Sequence, residues 1–287
     1  MELGFDFDYV SRPMRGEAAR AVEQVWCARG TVPYRSERIA PTGSTVVVLV
    51  LGDPITETAS TGASLTTDRG FVIGPHTAPV ENAPEGETYA VGIVTTAVGC
   101  EAVLGCRPAG LRGRVEPLEA AGTALAALRD EVGGLAHRGA SAGELLDVVD
   151  RFVTASVDLG VPGLARVERA VAALVAEPRR PISDVAGELG VSHAHLDREF
   201  ARVVGLRPRE LARLLHLREL IECLDPLGQV SWADVAAAGG WSDQAHLSRD
   251  FKRHTGLSPS RYLETQRAFA EAGNPGPGFS PDLTQPR

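Results

Sequence analysis

The feature that most constrains this chain is a repeat in its C-terminal third. The segment "ISDVAGELGVSHAHLDREFARVVGLRPREL" is followed by "WADVAAAGGWSDQAHLSRDFKRHTGLSPSRYL", at an offset of 50 to 51 residues. Both copies contain Asp-Val-Ala, His-Leu-x-Arg-x-Phe and Gly-Leu-x-Pro in the same order. Repeats of this period usually indicate helical arrays, but two copies are too few for a solenoid. The chain therefore contains two equivalent structural units.

Local signals predict a helix, a tight turn and a second helix in each copy. Helices begin at side chains that cap their first turn, and they commonly end where a glycine adopts a positive φ. The expected N-caps are Ser183, Ser192, Ser231 and Ser242. The expected helix ends are Gly190, Gly205, Gly240 and Gly256. Pro208 and Pro259 then follow at the first position of the next helix, which proline favours.

The second helix of each copy has one apolar and one basic side when projected at 100° per residue. Leu196 and Phe200, and likewise Leu247 and Phe251, are apolar pairs four residues apart that we expect to face the core. The opposite sides carry small residues first and arginines later. In the first copy these are Ala194 and Arg198, flanked by Asp197 and Arg202, and in the second Ala245, Arg249 and Lys252, flanked by Ser248 and Arg253.

Such a surface is what a helix needs to enter the major groove of DNA. Small residues allow close approach, and arginine binds guanine or phosphate with two hydrogen bonds. The ordinary alternative is a charged helix face that is merely solvated. The same arrangement of arginines recurs at the same place in both copies, however, and this favours a helix-turn-helix function.

The segment "DVAAAGGWSDQAHLSRDFKRHTGLSPSRYL" resembles the signature of the AraC/XylS family of transcription regulators, and the resemblance extends over about residues 165–267. It implies two helix-turn-helix units joined by a long helix. It also implies base contacts by seven residues: Ala194, Asp197, Arg198, Gln244, Ala245, Ser248 and Arg249. Asp197 departs from many relatives, which carry a neutral or basic residue there.

Upstream of the repeat, the pattern of apolar residues changes twice, from strand-like to helical segments, and we expect an α+β chain. Short β-branched runs such as "STVVVLVLGD" predict a β-rich sensor domain over residues 1–115, which loosely resembles the cupin-like domains of some AraC-type regulators. Helical spacing predicts a connector over 116–163, in which Ser141 and Glu144 form a capping box. The DNA-binding domain then covers 164–270, and the Pro- and Gly-rich residues 271–287 are expected to be a disordered tail.

Charge and composition are compatible with this assignment. The net charge is −8, yet residues 175–267 contain 13 basic and 13 acidic residues, so the acidity lies elsewhere. There is no run of 18 apolar residues, and the N-terminus lacks the apolar core of a signal peptide, so we expect a cytoplasmic protein without a membrane partner. The four cysteines lack zinc spacing, and whether Cys100 and Cys106 sense redox stays open.

The expected function is a sequence-specific transcription regulator that is not an enzyme and needs no cofactor or metal. Double-stranded DNA is the expected partner. The sequence leaves open whether the protein contacts RNA polymerase, whether it binds a small-molecule effector and whether it forms a homodimer through the apolar connector. It also leaves open whether the protein activates or represses transcription. The enzymatic alternatives are a metal-dependent cupin-type enzyme, for which His76 and His137 provide no H-x-H pair, and a DNA-repair protein fused to a DNA-binding module.

Overall fold

A computed structural model describes residues 6–271 and 278–282 of the chain. Its front part contains two antiparallel sheets. The larger sheet has the order β1 (Asp6–Pro13), β2 (Val22–Thr31), β9 (Thr88–Thr95), β4 (Val46–Val50), β7 (Gly70–Ile73) and β10 (Val115–Pro117). The smaller sheet has the order β11 (Phe279–Pro281), β3 (Glu37–Ile39), β8 (Val80–Pro84), β5 (Ile55–Thr58) and β6 (Ser64–Thr67).

Strand β4 shows why these residues form a buried sheet. Val48 and Val50 pack with Phe71 in a cluster between the two sheets. Val47 and Leu49 point to the other side, where they join the core beneath the helices. A strand that is buried on both faces has no polar alternation, which explains the unbroken "VVVLV". The prediction of a β-rich front domain is confirmed.

The chain enters β2 through a short helical turn. Residues Gly16–Arg20 form a 3₁₀ turn, and the chain continues as β2 from Val22. Trp26 of β2 lies over Gly92 of β9, where any side chain would meet its indole ring. The close approach of the ring requires glycine at position 92.

Eleven α-helices lie within the described residues. They are α1 (Gly99–Leu104), α2 (Pro108–Leu111), α3 (Thr123–His137), α4 (Ala142–Ser156), α5 (Leu164–Ala176), α6 (Ile182–Glu188), α7 (His193–Val203), α8 (Pro208–Cys223), α9 (Trp232–Gly239), α10 (Gln244–Thr255) and α11 (Pro259–Glu271). The predicted α+β class is therefore confirmed. No helix in this part of the chain combines the length and apolarity that crossing a membrane requires.

Helices α3 and α4 form the connector, and α4 packs on β2. Ser141 caps α4: its backbone N–H donates to Glu144 at 2.8 Å, and its hydroxyl accepts from the Glu144 backbone N–H at 3.4 Å. This is the predicted capping box. The connector leucines and valines are buried within the chain's own core, which runs without a break from β2 through α4 to α8.

The prediction of a disordered tail is wrong for residues 278–282. Phe279–Pro281 form β11, which pairs antiparallel with β3 at the edge of the smaller sheet. The side chain of Gln266 in α11 donates to the Phe279 carbonyl at 2.5 Å, so the strand is also held from the helical side. Pairing with an open sheet edge compensates for the weak local propensity of the segment. Residues 272–277 and 283–287 lie outside the described residues.

Candidate nucleic-acid interface

The first repeat forms a helix-turn-helix from α6 and α7. Gly190 stands in the turn with φ of +68°, as its predicted role as a helix end requires. Ser192 then caps α7 by accepting a hydrogen bond from the His195 backbone N–H at 3.2 Å. Ser183 is not a cap, because α6 begins at Ile182 with Pro181 at the N-cap position, and the Ser183 hydroxyl donates to Asp184 instead.

The second repeat forms the same motif from α9 and α10. Ser231 caps α9 as predicted, and Gly240 has φ of +79° in the turn. The cap of α10 is Asp243, where we expected Ser242: the Asp243 carboxylate accepts from the His246 backbone N–H at 2.7 Å. That hydrogen bond is the largest cause of the lowered pKa of Asp243. Ser242 contributes by donating its hydroxyl to the same carboxylate at 3.1 Å.

The buried sides of α7 and α10 are those that the spacing predicts. Leu196, Phe200, Leu247 and Phe251 are all fully buried. Arg166 of α5 contacts the inner edge of α7, with its guanidinium 2.9 Å from both Glu199 and His195. Packing therefore fixes the rotation of each recognition helix and decides which side faces outward.

Most of the predicted DNA-contact residues lie on those outward sides. Ala194 and Arg198 of α7 are exposed, and Asp197 is partly exposed, with one carboxylate oxygen 3.5 Å from His193 Nδ1. On α10, Ser248 is half-buried, and the exposed residues are Gln244, Ala245, Arg249, Lys252 and Arg253. Neither Arg198 nor Arg249 has an ion-pair partner among the residues that the structure describes, so both guanidinium groups are open to a ligand.

Arg202 is placed differently from the other candidates. Its guanidinium lies 3.3 Å from the carboxylate of Glu101, in α1 of the front domain, and its side chain is largely buried. Asp197, five residues earlier in α7, contacts His193 instead. Arg202 is therefore engaged within the protein.

The front domain contacts both units. On the first side, Arg112 forms an ion pair with Glu210 of α8 at 2.7 Å. On the second, the His254 ring at the end of α10 is buried and hydrogen-bonds through Nδ1 to the Thr77 carbonyl. Burial lowers the pKa of His254, so the neutral ring is the favoured form in this contact.

Three exposed arginines were not identified as candidate binding residues from the sequence. Arg179 precedes α6, and Arg209 and Arg213 lie one turn apart on α8, the helix that joins the units. All three line a groove between the two units. The four-residue spacing of Arg209 and Arg213 could have indicated a basic stripe, but only folding brings Arg179 to it.

Two further groups bear on the enzymatic and redox alternatives. Among the described residues, no three His, Cys, Asp or Glu side chains are grouped so that they could hold a metal ion. Cys100 and Cys106 are free thiols, and Cys100 donates a hydrogen bond to the Cys106 carbonyl at 3.6 Å. Hydrogen bonding to Cys106, followed by burial, raises the pKa of the Cys100 thiol.

A family model described as a helix-turn-helix domain matches residues 185–265. None of the curated proteins matches the chain. ToxT from Vibrio cholerae is a similar solved structure, with 13% identity over 90% of this chain and 97% of its own and a TM-score of 0.47. The AraC-like activator CuxR is 16% identical over 84% of this chain and 86% of its own, with a TM-score of 0.33.

A shorter similar structure covers only the C-terminal part. It is a probable AraC family regulator from Rhodopseudomonas palustris CGA009, 26% identical over 36% of this chain and 97% of its own, with a TM-score of 0.32. The family match coincides with the duplicated motif, whose two turns, caps and buried pairs are described above. Residues 185–265 of this chain therefore form a helix-turn-helix domain.

Proposed function

We propose that this chain is a transcription regulator that binds specific DNA sequences through both helix-turn-helix units. The observation that supports this most directly is the matched pair Arg198 and Arg249. Each is exposed, lies opposite a fully buried Leu–Phe pair and occupies the same position in its recognition helix. A guanidinium in that position can donate two hydrogen bonds to guanine O6 and N7 in the major groove.

The test is footprinting of the purified protein on genomic fragments, followed by binding measurements on the best site and on random duplex. Arg249→Ala should cost about 1–3 kcal/mol on the best site and relax the preference at one base position. Arg138→Ala, which removes an exposed arginine of the connector, is the matched control. Absence of any specific footprint for the wild type would overturn the proposed function. Equal losses on both duplexes would make Arg249 a phosphate contact.

We further propose that the front domain controls DNA binding, through an effector or another signal. Its support is structural coupling: Glu101 contacts Arg202 of the first recognition helix, and Thr77 contacts His254 of the second. A change in the front domain can therefore reach both units. ToxT is described in one structure with an unsaturated fatty acid bound, which is a property of that protein. For this chain, ligand-induced thermal shift followed by DNA titration is the appropriate screen.

The finer expectations stay predictions: a cytoplasmic location, contact with RNA polymerase and a homodimer. The dimer was inferred from apolar connector residues. Those that the chain's own core buries fully are Leu118, Leu125, Leu128, Leu145 and Val149. They leave little apolar surface for a second copy, so light scattering of the full chain is the measurement that decides.

A further inference from the structure

A basic groove separates the two helix-turn-helix units, and we call it the interunit groove. Its volume is about 380 Å³. One wall is α8, with Arg209, Arg213 and His216, and the other is α10, with His246 and Asp250. Residues 178–182, which lead into α6 of the first unit, close one end. The groove is therefore built by both units together.

Positive charge dominates the interunit groove. Arg179, Arg209 and Arg213 are exposed, and none of them forms an ion pair within the described ranges. Asp250 is the one acidic residue in its lining, and its carboxylate already accepts from the Trp241 indole N–H at 3.3 Å. The three guanidinium groups thus lack a counter-charge that the protein itself provides, and an anion could bind there with little competition.

The walls of the groove are held by packing. His216 of α8 stacks on Trp241 of the second unit, with 4.1 Å between ring centroids and 10° between planes. Arg179 lies over Gly240 in the turn between α9 and α10, in the space that a side chain at that position would need. These contacts fix the second unit against α8, so the arginines are presented on a preformed surface.

The interunit groove opens away from the front domain. At 100° per residue, Arg213 lies about 40° from Arg209 around α8, whereas Arg218 lies about 180° from it. Arg218 is on the side that meets the front domain, where it is 3.5 Å from Glu23. Across the groove, His246 and Asp250 flank the exposed Arg249 on α10. The groove therefore adjoins the outer side of the second recognition helix and can be reached without moving the front domain.

We propose that the interunit groove binds the phosphate backbone of DNA between the two major-groove segments that α7 and α10 contact. The inference rests on the proposed function. When two recognition helices enter successive major grooves, the backbone between those grooves must pass the surface that separates the helices. Guanidinium groups match phosphate oxygens in charge and geometry, and contacts of this kind set the position of the protein on the duplex without reading sequence.

The test compares the double variant Arg209→Ala/Arg213→Ala with Arg138→Ala/Arg151→Ala, which removes two exposed arginines from the connector. Fluorescence anisotropy would measure Kd for a footprinted site and for a random duplex of equal length, at several KCl concentrations. For the groove variant, Kd should rise about 10- to 30-fold on both duplexes at 0.15 M salt. Its log–log salt slope should fall by about 1 per arginine removed, with an unchanged ratio between the two duplexes.

A groove variant with the same salt slope as the control would overturn the proposal. So would a loss confined to the footprinted site, which would indicate base recognition. A different result is that inorganic phosphate raises the melting temperature of the wild type and not that of the groove variant, while the DNA salt slopes of the two proteins stay equal. That result would assign the groove to a small anion and would also overturn the proposal. Arg209→Lys/Arg213→Lys should retain most of the slope, which excludes a folding defect as the cause. If the wild type binds DNA without specificity, the proposed function fails, while the slopes on random duplex still test the groove.

Discussion

The carboxylate of Glu101 lies 3.3 Å from the guanidinium of Arg202, and this pair links the front domain to the first recognition helix. Arg202 is flanked on the outer side of α7 by Arg198, which is exposed. The front domain therefore neutralises one of the cations closest to the proposed DNA surface. Freeing that cation should strengthen DNA binding.

Glu101→Gln should tighten binding about two- to fivefold on both specific and random duplexes, because a partly exposed ion pair contributes about 0.4–1 kcal/mol. The measurement is a titration at 0.1 M salt. Glu131→Gln, on the exposed side of α3, removes the same charge far from α7. Equal tightening by both variants would show that only net charge matters.

Asp197 should weaken non-specific binding by the first unit. Its carboxylate is partly exposed beside Arg198, and one of its oxygens lies 3.5 Å from His193 Nδ1. A carboxylate close to the DNA backbone is repelled unless it accepts from a cytosine amine. Asp197→Ala should therefore strengthen binding to random DNA, with a salt slope that changes little or steepens slightly. Weaker binding confined to the best site would instead show that the carboxylate contacts a cytosine, and Asp197→Asn would then reproduce part of the loss.

The caps of the first unit provide a matched pair of serine variants. Ser192→Ala removes the side-chain acceptor of the His195 backbone N–H and should lower the free energy of unfolding by about 1 kcal/mol. Ser183→Ala removes a hydroxyl that caps no helix, so its effect should be much smaller. Chemical denaturation of the full chain would compare them. A cost at Ser183 as large as that at Ser192 would contradict the assignment of the caps.

Glu57 should make stability fall as pH rises. The side chain is 1% exposed between the sheets, and its Oε2 has no hydrogen-bond partner among the described residues. Burial, followed by the nearby Glu37, raises its pKa well above the ordinary value. The folded protein therefore keeps a proton that the unfolded chain releases above about pH 4.3, and stability is lost from there up to the raised pKa.

Glu57→Gln has no proton to release, so its stability relative to the wild type should increase between pH 5 and pH 8. Thermal denaturation at several pH values would measure the difference. Glu85→Gln, at an exposed position of the same sheet region, should show no such trend. A constant difference for Glu57→Gln across this range would mean that the carboxyl is already ionised in the folded protein.

Local spacing in the sequence is sufficient to predict the two helix-turn-helix units. Gly190 and Gly240 adopt the positive φ that their positions imply, and Ser192 and Ser231 cap the expected helices. The Leu–Phe pairs face the core because residues four apart share one side of a helix. The N-cap of α6 is Pro181, two positions before the expected Ser183, and the N-cap of α10 is Asp243, one position after the expected Ser242. Proline and aspartate can begin a helix where a serine is also present nearby.

Features that depend on distant parts of the chain were decided only by the tertiary structure. The partner of Arg202 is 101 residues away, and the interunit groove needs Arg179, α8 and α10 brought together. The composition of the tail predicted disorder, yet Phe279–Pro281 pair with β3 because the fold offers an open sheet edge. Sequence periodicity determines which side of a helix is buried. Which charge meets that helix, and which edge a strand joins, depends on long-range packing that local propensity does not encode.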